Sequence, residues 1–274
     1  MDKRIITVFT NSTSVSKEAV KLLSSKIEGS GFSVTDKFTP DSELIVCIGG
    51  DGAFLTAVHR YNFPAVPFVG INTGHLGFFQ EIYPSEIELF IENYKKGKYH
   101  IQRLKTVKAD ITTGGVTISH VSLNEIVIKS GDSYSLHLNI SIDGSFIERF
   151  SGVGVLVATP VGSTAYNYSL GGSIVDPRLN LLQITPIAPM NTSAYRSFTS
   201  SILLPSDLSL GVSCYGDGVR DIIISADGIE NKYNGIDHID IYFAETVINL
   251  IRFESYDFWS KVKTKFLDGE PDKS

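Results

Sequence analysis

The chain has 274 residues, of which 42% are apolar and 20% are charged, a composition typical of a folded protein and not of a disordered one. Its formal net charge of −6 gives no general attraction to nucleic acid or to anionic lipid, so we expect neither as a partner. No apolar run approaches the ~20 residues that span a bilayer, and residues 1–6 lead into a strand-like run, so we expect no membrane span and no secretory signal.

Residues 1–100 alternate between strand and helix patterns, which predicts an N-terminal open α/β domain of Rossmann-like type. The runs at 44–48 and 68–71 are continuously apolar, as in strands that are covered on both faces in a parallel sheet. Leu89 is expected on the buried stripe of its helix. Strands are predicted at residues 5–10, 44–48 and 68–71, and helices at 15–27, 54–61 and 84–96.

From residue 101 onward, strand patterns follow one another, and Gly114-Gly115 and Asp143-Gly144 are hairpin signals. We predict a mostly antiparallel, β-sandwich-like C-terminal domain at 101–253. Residues 256–267 have an amphipathic helical pattern, and the final segment, residues 254–268, is expected to return to the first domain. The fold class is therefore α/β plus all-β. Strands are predicted at 105–113, 116–123, 121–129, 136–142, 145–150, 155–158, 208–215, 222–226, 238–243 and 247–253.

The two cysteines, Cys47 and Cys214, are far apart in sequence, and both stand in apolar contexts. This pattern predicts two buried thiols in a reducing compartment, so we expect a cytoplasmic protein.

The sequence Gly49-Gly50-Asp51-Gly52 lies between a predicted buried strand and a predicted helix. A glycine turn at a helix N-terminus binds phosphate, because backbone N–H groups and the helix dipole face the anion. A carboxylate at this place would repel phosphate. Asp51 therefore either takes a proton from an attacking hydroxyl, or helps to hold a metal ion between phosphates, or only occupies a tight turn.

A second glycine-containing segment, NTGHLGFF at residues 72–79, follows the next predicted buried strand. Ligands of open α/β sheets bind at the carboxyl ends of strands, so the two segments are expected to converge. Phe78 is interpreted either as the wall of a ring-binding slot or as a core aromatic residue. His75 is more typical of a structural histidine than of a catalytic one.

Three further segments lie in the second half of the chain. Asn124-Glu125 is predicted inside a strand, where polar side chains indicate a ligand or a buried network. The segment TPVGSTAYNYSLGG at 159–172 combines small residues, hydroxyl groups and tyrosines, which suits contact with a nucleotide. Asp227 in the sequence SADG is by itself no more than a turn residue.

In this order and spacing, the five segments resemble the NAD kinase family. The most specific motifs are GGDG at 49–52, NxGxLGF at 72–78, NE at 124–125 and TPxGSTAYxxSxGG at 159–172. The resemblance implies an enzyme that transfers the terminal phosphoryl group of ATP, or of polyphosphate, to the 2′-hydroxyl of the adenosine ribose of NAD. It also implies Mg²⁺ brought by ATP, no metal site formed by the protein alone, and a homodimer or homotetramer.

The resemblance also implies roles for individual residues. The general base falls on Asp51, and phosphate contacts fall on Gly49, Gly50 and Gly52. Asp227 is expected near the reacting ribose or near the ligand of a neighbouring subunit. The implied NAD contacts are Asp51, Gly52, Phe78, Asn124, Glu125, Ser163, Thr164, Ala165, Tyr166, Asn167, Ser169, Ala188 and Asp227.

Several positions depart from the family pattern. Ala53 stands in place of the usual threonine, and Val153 in place of an aspartate that is expected to contact the nicotinamide side. Ser151 stands where several relatives have a basic residue. In the segment 190–196, only Arg196 matches the usual pattern.

Two alternatives to an active NAD kinase remain at this point. A dinucleotide-binding regulator with weakened catalysis would explain Val153 and Ala53. A lipid kinase of the GGDG type would share residues 49–52, but such kinases lack the segment that stands here at 159–166.

Overall fold

The computed structural model describes residues 4–11, 13–27, 30–132, 134–192, 196–215 and 221–268. The chain divides into two compact units, Met1–Arg103 with Val247–Ser274 and Leu104–Thr246. In the described part of the chain, no helix is both long and apolar enough to cross a membrane.

The first unit contains a parallel sheet with the strand order β2-β1-β3-β4, in which β4 also pairs in parallel with the end of β16. All five residues from Leu44 to Ile48 in β3 are fully buried, as the apolar run predicts for a strand covered on both faces. The elements are β1 (Arg4–Thr10), α1 (Ser14–Ile27), β2 (Phe32–Thr35), β3 (Ser42–Gly49), α2 (Asp51–Arg60), β4 (Phe68–Asn72), α3 (Ile87–Lys95) and α5 (Phe258–Phe266).

The second unit consists of two mainly antiparallel sheets around one apolar core. One sheet has the order β12-β11-β10-β7-β14-β15, and the other contains β5, β6, β8, β9, β13 and the first part of β16. Leu138 and Ile140 from one sheet and Ile128 and Val157 from the other belong to the same buried cluster, so the unit is a β-sandwich. The elements are β5 (His100–Thr113), β6 (Val116–Ser122), β7 (Glu125–Ser130), β8 (Leu136–Ile142), β9 (Ser145–Gly152), β10 (Gly154–Ala158), α4 (Tyr166–Ser169), β11 (Leu181–Ile187), β12 (Ile202–Pro205), β13 (Leu210–Cys214), β14 (Asp221–Ala226), β15 (Ile229–Asn234) and β16 (Ile236–Arg252).

The structure confirms the predicted fold class and both hairpin turns. At the turn between β8 and β9, Asp143 and Gly144 both have positive φ, as a two-residue hairpin requires. The strands predicted at 238–243 and 247–253 are one continuous strand, β16.

Two predictions of burial are wrong. Leu89 points away from the stripe formed by Ile87, Phe90 and Ile91, and is exposed. Cys214 ends β13 and is exposed, whereas Cys47 is buried in β3, where burial raises the pKa of its thiol.

Helix α1 offers a matched test of the core. Leu23 is fully buried among the apolar residues of the first unit, whereas its neighbour Leu22 is 38% exposed. We expect Leu23→Ala to lower the free energy of unfolding by roughly 2–5 kcal/mol, because it leaves a cavity. Leu22→Ala should change it by less than about 1 kcal/mol. Equal losses in chemical denaturation would contradict the assigned helix face.

Candidate functional site

The GGDG turn joins β3 to α2. Gly49 has a φ of +155°, and a Cβ atom there would lie 2.6 Å from Cβ of Ala53, so the first glycine has no room for a side chain. In contrast, a Cβ on Gly50 or Gly52 would meet no atom within 4 Å. The N–H groups of Ala53 and Phe54 donate to the Gly50 carbonyl at 2.9 and 3.2 Å. The N–H groups of the two residues before them, at the start of the helix, have no carbonyl one turn earlier in the helix to bond to, so this open turn is suited to an anion.

Asp51 is the first residue of α2, and backbone N–H groups hold its carboxylate. Phe78 N–H donates to Oδ2 at 2.9 Å, and Phe79 N–H donates to Oδ1 at 3.0 Å. The Lys265 ammonium lies 3.9 Å from Oδ2. The side chain of Asp51 is 26% exposed, so the carboxylate is held in one orientation while part of it faces outward.

Gly77 must be a glycine because Asp51 lies against it. A Cβ at this position would lie 2.3 Å from Oδ1 of Asp51 and 2.8 Å from its Cγ. The NxGxLGF segment therefore provides the walls of the Asp51 site, as the predicted convergence of the two glycine-containing segments requires.

The structure places Phe78 in an apolar environment and leaves His75 exposed. The ring of Phe78 lies 5.7 Å from that of Phe258 and 6.0 Å from that of Phe266, both on α5. Lys265 Nζ lies 4.8 Å from the centre of the same ring. Of the two interpretations of Phe78, the described geometry favours a core aromatic residue whose backbone N–H serves the site.

A second set of predicted residues meets in the six-stranded sheet of the second unit. Strand β7 lies between β10 and β14, so Asn124 and Glu125 at its beginning lie beside the end of β10 and the end of β14. The prediction that Asn124-Glu125 lies inside a strand is therefore wrong: Asn124 lies in the two-residue break between β6 and β7, and Glu125 is the first residue of β7.

Asp227 holds this break in place. Its Oδ2 accepts the N–H of Leu123 at 2.7 Å, and its Oδ1 accepts those of Asn124 and Glu125 at 2.7 and 3.3 Å. Asp227 has a φ of +48° in the two-residue turn between β14 and β15. Its carboxylate thus orders the backbone from which the Asn124 and Glu125 side chains project.

The segment after β10 packs against the same break. Thr159 Oγ1 donates to the carbonyl of Leu123 at 2.7 Å, and Thr159 N–H donates to that of Asn124 at 2.9 Å. A Cβ on Gly162 would lie 2.0 Å from the carbonyl oxygen of Asn124, so only glycine fits there. Three of the predicted segments are therefore in direct contact.

Glu125 is buried, and burial together with the charge of Asp227 raises its pKa to about 8. Its Oε2 and the Oδ1 of Asn124 are buried without a hydrogen-bond partner among the described residues. Buried polar atoms normally have partners, so these two atoms are positions for a ligand or for water.

The residues of segment 159–172 differ in their surroundings. Ser163 and Asn167 are buried, and their side chains hold the loop together through Pro160, Val175, Ser173 and Thr185. Thr164 is also buried, Ala165 is half-buried, and Tyr166 and Ser169 are exposed. Ala188 follows β11, is exposed and has a φ of +43°, which is strained for a residue with a Cβ.

Comparisons with known proteins agree with the motifs. The family model for the ATP-NAD kinase N-terminal domain matches residues 9–99, and the model for the C-terminal domain matches residues 123–231. An NAD kinase from Finegoldia magna is 39% identical over 270 residues, which is 97% of this chain and 99% of the relative. The chain belongs to the NAD kinase family.

Other family members are similar over most of their length. An NAD kinase from Staphylococcus carnosus is 34% identical over 86% of this chain and 89% of its own. The fold is similar to that of a yeast NADH kinase solved with NADH, with a TM-score of 0.84, 21% identity, and coverage of 99% of this chain and 90% of the other. An NAD kinase from Archaeoglobus fulgidus solved with ATP gives a TM-score of 0.76, 22% identity, and coverage of 95% and 99%.

The departures from the family pattern have distinct surroundings. The Val153 side chain is 44% exposed between β9 and β10. Ser151 is buried, and its hydroxyl lies 2.8 Å from Nδ1 of His137. Arg196 is exposed, and residues 193–195 of its segment lie outside the described residues.

Sequence reasoning missed the cations beside Asp51. Lys261 and Lys265 lie on α5, and Arg252 ends β16, all more than 170 residues away from the nearest glycine motif of their unit. The only sequence signal was the helical pattern at 256–267, which predicted a buried face but not which lysine would lie against the site.

The raised pKa of Glu125 gives a test by pH. Burial disfavours its carboxylate, so the unfolded chain releases the proton at lower pH, near 4.5, than the folded protein, near 8. The contribution of the protonated Glu125 to stability is therefore fully present below about pH 4.5 and is lost as the pH rises to about 8. We expect Glu125→Gln to raise the free energy of unfolding at pH 8 by up to roughly 4 kcal/mol, and to change it little at pH 4.5.

Denaturation of the ligand-free protein at several pH values measures this difference. Glu245→Gln is the control, because Glu245 is an exposed glutamate of the same unit. The difference in free energy of unfolding between Glu125→Gln and the unmodified chain should grow with pH. A constant difference would contradict the buried environment assigned to Glu125.

Proposed function

We propose that this chain transfers the γ-phosphoryl group of ATP to the 2′-hydroxyl of the adenosine ribose of NAD and so forms NADP and ADP. The observation that carries this proposal is the Asp51 carboxylate, held by two N–H groups beside an open glycine turn. Sequence similarity to curated NAD kinases over nearly the whole chain supports the choice of substrates.

In the proposed reaction, Asp51 orients the 2′-hydroxyl and accepts its proton. A bond forms between the ribose oxygen and the γ-phosphorus, and the bond from that phosphorus to the bridging oxygen of ADP breaks. A hydroxyl is a poor nucleophile, so a fixed carboxylate within reach of it lowers the barrier. We propose that Gly49, Gly50 and Gly52 contact the phosphates. The open backbone at Gly50 and Gly52 supports two of these three contacts.

We propose Mg²⁺ as the companion of ATP. In the described part of the chain, no group of three or more His, Cys, Asp or Glu side chains is arranged to hold a metal ion. Mg²⁺ is commonly bound largely through substrate phosphates and water, so we propose that the phosphates of ATP hold the ion while Asp51 serves as the base. When bound, the ion offsets the charge that develops on the phosphoryl group.

We propose that residues of the second unit contact NAD. In the second unit, the unpartnered atoms of Asn124 and Glu125 are suited to ribose or adenine groups, which donate and accept hydrogen bonds. The exposed residues Tyr166, Ser169 and Ala188 are accessible to a ligand, whereas Ser163 and Asn167 support the loop from within. Asp227 orders the Asn124-Glu125 backbone in addition to any contact with ribose.

We also propose a cytoplasmic homo-oligomer. Strand β9 is at the edge of its sheet and exposes Phe146 and Ile147, and an apolar edge of this kind favours self-association. The proposed substrates NAD and ATP support a cytoplasmic location.

A regulator that binds the dinucleotide without catalysis is the second candidate. Val153 and Ala53 favour it, since one lacks a carboxylate and the other a hydroxyl that the family pattern has. The intact Asp51 site favours an active enzyme.

Substitution of Asp51 tests the proposed function. We expect the unmodified chain to form NADP from NAD with MgATP, and Asp51→Asn to lose at least about 100-fold in kcat. The amide cannot take the proton, and its NH₂ group would face one of the N–H donors of Phe78 and Phe79. An unmodified chain that binds NAD but forms no NADP would favour the regulator, and one that phosphorylates lipid instead would favour the lipid kinase.

A pair of glycine substitutions tests the geometry around Asp51. Gly77→Ala would place a methyl group against the carboxylate, so we expect kcat to fall about 100-fold, as for a displaced catalytic group. Gly74 belongs to the same segment, but a Cβ on Gly74 would meet no atom within 4 Å. The variant Gly74→Ala should therefore keep a near-normal kcat. Equal kcat values for the two variants would show that the position of Asp51 does not limit the reaction.

A further inference from the structure

Two successive peptide groups in the segment that holds Asp51 have a hydrogen-bond partner at each end. In the first, the Gly77 carbonyl accepts a hydrogen bond from Lys261 Nζ at 2.9 Å, and the Phe78 N–H donates to Asp51 Oδ2 at 2.9 Å. Because a trans peptide is planar, its C=O and N–H point in opposite directions. The first peptide group therefore lies directly between the ammonium and the carboxylate.

The second peptide group has the same arrangement. The Phe78 carbonyl accepts a hydrogen bond from Arg252 Nη2 at 2.9 Å, and the Phe79 N–H donates to Asp51 Oδ1 at 3.0 Å. Each oxygen of Asp51 is thus connected through one peptide group to a cation, the half-buried Lys261 ammonium or the buried Arg252 guanidinium. Hydrogen bonds in such chains polarise one another, so a cation on the carbonyl strengthens donation by the N–H.

Lys261 also joins this segment to the GGDG turn. Its Nζ donates to the carbonyl of Gln80 at 2.5 Å, and Gln80 Nε2 donates to the carbonyl of Gly50 at 2.7 Å. Gln80 is itself buried. One ammonium group is therefore connected both to one of the two donors of Asp51 and, through Gln80, to the turn that is proposed to receive phosphate.

We propose that Lys261 is a positioning residue for Asp51: from helix α5, its ammonium fixes the carbonyls of Gly77 and Gln80 and so orients the N–H donor that holds the catalytic carboxylate. This inference rests on the proposed function of Asp51. Lys261 touches no substrate in this role, and Arg252 does the same for the second peptide group.

The surroundings of Lys261 make this role sensitive to pH. Burial lowers the pKa of its ammonium to about 8, and the nearby guanidinium of Arg252 acts in the same direction, as does Lys265 to a smaller extent. Glu81 and Asp51 oppose the shift, and the ring of Tyr256 lies 5.6 Å from Nζ. Above about pH 8 the lysine loses its charge, so its hold on the two carbonyls weakens.

Three variants of helix α5 test the proposal. Lys261→Met removes the donor, and Lys261→Arg keeps a charge that does not titrate between pH 6.5 and pH 9.5. Lys263→Met is the control, because Lys263 is an exposed lysine of the same helix. For each protein, kcat and the KM for NAD and for ATP are measured with Mg²⁺ from pH 6.5 to pH 9.5, and thermal unfolding is followed in parallel.

We expect Lys261→Met to lower kcat about 10- to 100-fold at pH 7 with KM values changed less than threefold, because the carboxylate is misplaced while binding surfaces remain. The kcat of the unmodified chain should fall above about pH 8, and this fall should move to higher pH in Lys261→Arg. Lys263→Met should match the unmodified chain throughout.

Other results would overturn the inference. Lys261→Met with the kcat of Lys263→Met would show that the ammonium is not needed. Two results together would show a merely structural role. The first is a fall in kcat that only follows the loss of folded protein, and the second is a fall in kcat above pH 8 that occurs at the same pH in Lys261→Arg as in the unmodified chain. Both outcomes require an active unmodified chain, whereas an unmodified chain that forms no NADP would refute the proposed function itself.

Discussion

The hydrogen bonds from Phe78 and Phe79 to Asp51 are the interaction on which the Asp51 site depends. A carboxylate at the start of α2 is stabilised by the helix dipole, but the dipole does not fix its orientation. The two N–H donors do fix it, and the absence of a side chain at Gly77 allows the close approach. The strands β3 and β4, α2 and α5 all contribute to the placement of these few atoms.

The second unit uses the same physical device on a different backbone. Asp227 binds the N–H groups of Leu123, Asn124 and Glu125 and so holds the end of one strand against the start of the next. In both units an aspartate from one turn satisfies the backbone donors of another, and that other turn carries ligand-binding candidates. Each turn is thus ordered by a carboxylate and contributes residues that are proposed to bind a ligand.

Much of the fold and part of the site could be predicted from the sequence, because periodicity and glycine turns are local signals. The buried runs of β3 and β4, the helical pattern of α1 and the hairpin at Asp143-Gly144 are of this kind. The contacts of Lys261 with Gly77 and Gln80 could not be predicted, since they join residues 184 and 181 positions apart. The break at Asn124 was also missed, because its cause is the carboxylate of Asp227, 103 residues away.

The positive φ of Asp227 restricts which residue types this position can accommodate. Glycine, asparagine and aspartate are the residues that most readily adopt such a conformation in a two-residue hairpin turn. Glycine has no side chain to meet the three N–H groups of the neighbouring turn, and asparagine offers one acceptor oxygen and one donor group where two acceptors are needed. Backbone geometry and hydrogen-bond chemistry thus exclude different alternatives, and aspartate is the residue that satisfies both. Both the hairpin and the neighbouring turn therefore restrict which substitutions this position can accept.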